Sequence, residues 1–193
     1  MKKFVNALSI FRIIAAFLIV PLMLEQLFFD AFVIFVLAAA SDWLDGFLAR
    51  RYKVTSKLGG VLDQIGDKFL IVNALIMMIM FLQIWQVIIP AILMIGRELY
   101  VSGLREFLGT QKIEMPVPKN KFAIVKLKTT AQMLAIAMLL VWIWGVNEDW
   151  KWIDGLHYLL LSSIAVLWAA MTLSLLSAAQ YTNTFVKHIK KGK

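Results

Sequence analysis

Four aspartates between positions 42 and 67 are the residues of this chain best equipped for chemistry. They stand as Asp42-x-x-Asp45-Gly46-x-x-Ala49-Arg50, followed by Gly59-x-x-x-Asp63-x-x-x-Asp67. At helical pitch Asp42, Asp45, Gly46 and Ala49 share one face, as do Gly59, Asp63 and Asp67, so two neighbouring helices can aim four carboxylates at one point. Carboxylates this dense repel one another unless a cation joins them. All-oxygen donors suit Mg²⁺, or Mn²⁺, before Zn²⁺. Two such ions bridged by shared carboxylates leave positions open for phosphate oxygens and water, which favours substitution at phosphorus, with one carboxylate accepting a proton from an incoming hydroxyl.

The neighbours of the aspartates fit that chemistry. Gly46 and Gly59 lack a side chain where a nucleotide must approach helix backbone. Arg50, eight residues beyond Asp42, is placed to pair with a phosphate or, alternatively, with an aspartate or the membrane surface. Ser56 either hydrogen-bonds a phosphate or caps the next helix. The competing account of the whole cluster is a set of intramembrane ion pairs, Asp45 or Asp63 with Arg50, Arg51 or Lys57, but it gives no reason for the glycines and alanine at their offsets.

The elements that must hold these groups are membrane helices. Of the 193 residues, 61% are hydrophobic, against roughly 45–50% in an ordinary soluble domain. The expected fold is all-α, a single membrane-embedded domain over 1–193 with six transmembrane helices at about 8–24, 31–48, 59–82, 85–108, 124–145 and 155–178. The short basic link 51–57 brings the two aspartate helices together as an antiparallel pair. Pro21 and Pro90 fall inside spans, where a neighbour has to satisfy the freed carbonyl. Pro116 and Pro118 place a loop between the fourth and fifth spans. With no cysteine and two distant histidines, thiolate and histidine metal centres and a cysteine nucleophile are excluded.

The net charge of +8 is not read as a nucleic-acid surface, because of where it lies. Lysines and arginines gather at both termini and in the second and fourth connections, while Glu25, Asp30, Glu148, Asp149 and Asp154 occupy the opposite ones. The positive-inside rule then puts both termini in the cytoplasm, the aspartates on that side, and Trp85, Trp142, Trp144, Trp150 and Trp152 at the outer belt. The basic start followed by an apolar run is not expected to be a cleaved leader, since Arg12 interrupts the run. On physics alone, Asn6, Ser9 and Arg12 form an interfacial amphipathic start with a snorkelling arginine. The alternative is that they line the entrance to the acidic site.

The aspartate pattern, with all eight fixed positions at the right spacing, resembles the signature of the CDP-alcohol phosphotransferase family. That resemblance implies six transmembrane helices, a homodimer, and transfer of a phosphoalcohol unit from a CDP-linked substrate with release of CMP. It implies that Asp42, Asp45 and Asp63 are metal ligands, that Asp67 is ligand and general base, and that Gly46, Ala49, Arg50, Ser56 and Gly59 line the CDP site. The segments Asn6–Arg12, Gly96–Glu106 and Val125–Met133 resemble the bacterial branch of the family that uses glycerol 3-phosphate. Gln64 and Gly66 depart from that branch, which often has Pro and Ala there. The resemblance therefore implies CDP-diacylglycerol and glycerol 3-phosphate as substrates, membrane lipid as surroundings, and the bacterial cytoplasmic (inner) membrane as location, with the active site facing the cytoplasm.

A dianionic acceptor needs fixed positive charge beside the metal centre, and Arg97, Arg105, Lys126 and Lys128 can supply it. Glu98, seven residues before Arg105, is placed to pair with that arginine. Lys126 and Lys128 lie about 200° apart on a helix, so only one faces the cavity. Other acceptors (serine, inositol phosphate, phosphatidylglycerol), a divalent-cation transporter and a silent scaffold remain the rival readings.

Overall fold

In a computed structural model of the chain, the described residues are 2–52, 57–110 and 122–191, and all of the regular structure among them is helical. Six helices follow in order: α1 (Lys2–Leu24), α2 (Phe28–Tyr52), α3 (Lys57–Leu82), α4 (Trp85–Thr110), α5 (Phe122–Asn147) and α6 (Ile153–Lys191). By their described residues five of them, α1 and α3 to α6, are long and apolar enough to cross a bilayer; α2 is not among these. The sixth helix continues well beyond the span expected to end at Ala178. Pro116, Pro118 and the 53–56 part of the basic link lie outside the described residues.

Three tight turns join α1 to α2, α3 to α4 and α5 to α6. Each places one residue in the left-handed region: Gln26 at φ 59°, Gln83 at φ 49° and Asp149 at φ 51°. In the first, the Leu27 amide donates to the Leu22 carbonyl at 2.8 Å, and in the third the Trp150 amide donates to the Gly145 carbonyl at 3.0 Å. These six-residue closures satisfy carbonyls that a helix end leaves without partners. Phe29, Trp144 and Trp150 stack in series at this end of the bundle, with centroids 4.8 Å apart in both contacts.

The core is small and aliphatic near these turns, with Ala16, Ile19, Met23, Ala31, Leu75, Met78, Leu139 and Leu140 buried. Large apolar side chains point outward as well: Leu99 is 69% exposed and Ile153 77%. A surface of that kind matches lipid rather than water. Pro90 removes the amide that would bond the Gln86 carbonyl, and the Trp168 indole of α6 donates to that carbonyl at 2.9 Å.

The packing adds a partner to the expected aspartate-helix pair. Among the described residues α1 packs extensively against both α2 and α3 and bridges them. Gly66 is what lets α1 come so close to α3. A Cβ built there would lie 3.4 Å from the Ser9 carbonyl oxygen and 3.4 Å from the Arg12 Cβ, so a residue much larger than alanine would push the helices apart.

Candidate active site

The polar groups collect at the end of the bundle opposite the three tight turns. Asp42 comes from α2, Asp63 and Asp67 from one face of α3, and one carboxylate oxygen from each lies within 4.8 Å of the other two. Carboxylates so placed cannot all stay ionised without a compensating cation. Among the described residues, the cation at the cluster is Arg12 of α1. Its Nη1 donates to Asp67 Oδ1 at 2.6 Å and to Asp63 Oδ1 at 2.7 Å, and lies 3.4 Å from Asp42 Oδ1.

The snorkelling arginine expected from physics is therefore replaced by a buried one. The Arg12 side chain is 0% exposed, whereas Asp42, Asp63 and Asp67 remain 31%, 40% and 31% exposed. Three facing carboxylates offer a guanidinium more than the interface does, and Gly66 gives α1 the close approach that the contact requires. Of the trio Asn6, Ser9 and Arg12, it is Arg12 whose contact with the acidic cluster is shown; Ser9 is buried one turn before it and Asn6 is half-buried. Gly59 is buried. Asp45, Gly46, Ala49, Arg50, Ser56 and Lys126 lie outside the residues whose side chains are described.

Behind Asp67 opens a second polar site. A cavity of about 150 Å³ is lined by Gln64, Asp67, Lys68, Arg97, Glu98, Arg105, Lys128, Thr129 and Tyr181, with Ile71 as its apolar wall. The expected Glu98–Arg105 pair is absent. Glu98 instead accepts from Arg97 Nη1 at 2.6 Å and from the Lys128 ammonium. Arg105 turns to α6, where its Nη2 donates to the Tyr181 hydroxyl at 2.8 Å and its guanidinium lies 5.0 Å from the centre of the Tyr181 ring. Arg97 Nη2 donates to Ser177 Oγ at 3.0 Å, one turn earlier on α6. The reason for the exchange of partners is packing: α4 and α6 lie side by side and run in parallel, so Arg97 meets Ser177 and Arg105 meets Tyr181.

Of the lysine pair, Lys128 is the one described in the cavity, buried against Glu98. Sequence reasoning misses Lys68, Tyr181 and Ser177. Lys68 directly follows the last aspartate, which was a usable signal, and its Nζ donates to Ser102 Oγ at 2.6 Å. Tyr181 and Ser177 carried no signal, because their roles depend on how α6 lies against α4.

The donor set fits a hard divalent cation. Asp42, Asp63 and Asp67 present only carboxylate oxygens, close enough together for one ion to reach, and no described histidine joins them.

A family model described as CDP-alcohol phosphatidyltransferase matches residues 3–179. The chain belongs to that family. Among curated proteins it is similar to the CDP-diacylglycerol–glycerol-3-phosphate 3-phosphatidyltransferase of Haemophilus influenzae, with 36% identity over 177 residues covering 90% of this chain and 88% of the relative. The proteins of the same name from Escherichia coli K12 and Sodalis glossinidius are 38% and 39% identical, covering 79% and 77% of this chain and 79% and 74% of theirs. The family match spans all three aspartates of the cluster, Arg12, and the cavity on α3 to α5 as far as Ser177, ending just before Tyr181.

Proposed function

We propose that this family member transfers the phosphatidyl group of CDP-diacylglycerol to glycerol 3-phosphate, giving phosphatidylglycerophosphate and CMP in phospholipid biosynthesis. The observation that carries the reading is the double placement of Asp67. It belongs to the aspartate cluster and also forms the wall of the basic cavity, so the group that handles a diphosphate and the groups that would hold an acceptor phosphate meet at one carboxylate.

In this reading Asp42, Asp45, Asp63 and Asp67 hold Mg²⁺, or Mn²⁺, as two ions. A bound divalent ion supplies neutralisation of the diphosphate and polarisation of the attacking hydroxyl. Gly46, Ala49, Arg50, Ser56 and Gly59 receive the CDP portion. Arg97, Arg105 and Lys128, with Lys126 nearby in sequence, hold the phosphate of glycerol 3-phosphate. They orient its primary hydroxyl toward the phosphorus that carries diacylglycerol. Asp67 takes the hydroxyl proton, the new phosphorus–oxygen bond forms, the bond to CMP breaks, and CMP leaves with the electron pair.

The protein in this proposal is one domain with six spans and both termini in the cytoplasm. It acts as a homodimer in the bacterial inner membrane, with its site on the cytoplasmic side. Acyl chains stay in the leaflet while the CDP head reaches the polar end of the bundle.

The test is CMP release by purified protein from CDP-diacylglycerol with a panel of acceptors, with and without Mg²⁺. Metal-dependent release with glycerol 3-phosphate is expected. Release with serine and none with glycerol 3-phosphate overturns the acceptor, and divalent-cation flux without any CMP overturns the enzyme.

A further inference from the structure

The aspartate cluster already contains a cation, Arg12, whose Nη1 stands among the three facing carboxylate oxygens. Arg12 Nη1 is 2.6, 2.7 and 3.4 Å from the facing oxygens of Asp67, Asp63 and Asp42, whose ligand atoms lie within 4.8 Å of one another. A Mg²⁺ shared by these carboxylates would sit about 2.1 Å from each oxygen it binds, inside the space that Nη1 fills. A metal ion and the guanidinium nitrogen cannot occupy that point together.

We propose that Arg12 is an exchangeable counter-ion of the metal centre: a divalent ion binds by displacing its guanidinium from Asp42, Asp63 and Asp67. The proposal rests on the metal-dependent reading of the site given above and adds to it a residue that sets metal affinity. Arg12 is a positioning residue. It ties α1 to α2 and α3 through charge. The same contact must be broken whenever metal enters, so the observed affinity for metal is the intrinsic affinity reduced by the cost of moving Arg12. The guanidinium carries one charge, and three carboxylates remain underneutralised by it, which leaves a divalent ion the stronger partner once present.

A purely structural Arg12 predicts the opposite behaviour on removal, since losing the tie would scatter the ligands and weaken metal binding. The experiment measures Mn²⁺ binding by the loss of free-ion paramagnetic resonance signal, using the full chain in lipid nanodiscs without substrates. Arg12→Met is expected to bind Mn²⁺ about tenfold or more tightly than wild type. Its thermal unfolding temperature should also depend far more steeply on Mn²⁺ than the wild type's. Equal or weaker binding by folded Arg12→Met overturns the exchange. If Arg12→Met folds only with Mn²⁺ present, one cation has replaced the other and the proposal stands. If it folds under no condition, Arg12→Lys decides: its shorter reach should loosen the contact and tighten Mn²⁺ binding, and unchanged or weaker binding overturns the proposal. Failure of both variants to fold at any Mn²⁺ concentration overturns it too. CMP release by wild type in the same nanodiscs reports on the proposed reaction separately, so its loss would sink that reaction and leave the Mn²⁺ comparison readable.

Discussion

The two polar regions of the bundle are near mirror images in charge. Around Asp42, Asp63 and Asp67 three acids surround one guanidinium; around Glu98 the cations Arg97 and Lys128 share one acid, with Arg105 alongside. They differ in what is left accessible. The acids stay about a third exposed while Arg12, their cation among the described residues, is fully buried, whereas Arg97 and Lys128 are buried beside a Glu98 that is only 14% exposed. In the exchange proposed above, the acidic region gives up its internal partner to a divalent ion. The basic region holds Arg97, Arg105 and Lys128 beside Glu98, Ser177 and Tyr181, an arrangement the proposed acceptor site would use. Asp67 and Lys68, adjacent in sequence, are where the two regions join.

The sharpest way to break this division of labour is through metal. Chelation should bring CMP release to background and Mg²⁺ should restore it; persistence of turnover under excess chelator would remove the acidic region from the chemistry. Asp67→Asn should lower turnover by about a thousandfold, because it loses a ligand and the proton acceptor together. Full turnover by a metal-binding Asp67→Asn protein would separate the two regions. Arg105→Met acts on the other side only. Steady-state kinetics should give a KM for glycerol 3-phosphate raised about 10- to 100-fold, as expected for a lost charged hydrogen bond, with the KM for CDP-diacylglycerol within about twofold of wild type. Equal changes in both constants would show that the basic cavity is not dedicated to the acceptor.

Gentler changes sharpen the same contrast. Glu98→Gln strands Arg97 and Lys128, so thermal unfolding should register a loss of about 3 kcal/mol. Metal affinity should be untouched, since the acids lie in the other region. The smallest effect is expected at Gly66. An alanine Cβ there meets Arg12 and the Ser9 carbonyl at ordinary contact distance, so Gly66→Ala should shift stability by no more than about 1 kcal/mol, measured by the same unfolding assay. Gly66→Leu, in contrast, should drive α1 away from α3 and weaken the Arg12 contact.

Much of the site was legible because it is local. Asp63 and Asp67 are one helical turn apart, and regular helix geometry alone puts them on one face of α3. Five of the six helices carry, by their described residues, apolar runs of bilayer length, and the tight turns fall at polar breaks between helices. Arg97, Arg105 and Lys128 were legible as charges available to bind an anionic acceptor, with interaction with anionic lipid as their alternative role. Their partners were not legible. Helix periodicity places Glu98 and Arg105 on a common face, yet Arg105 pairs with a tyrosine 76 residues away because α6 lies against α4.

The sequence by itself determined the family, the helical membrane architecture and the identity of the acids, since each is written in residue types at short, fixed spacing. Only the tertiary structure decided that α1 stands between the aspartate helices, that Arg12 leaves the interface for the cluster, and that Asp67 faces both regions. The physical reason is that spacing along a helix fixes which side chains share a face. What that face meets depends on helix packing, and in a low-dielectric bundle every charge must find its opposite wherever the packing provides one.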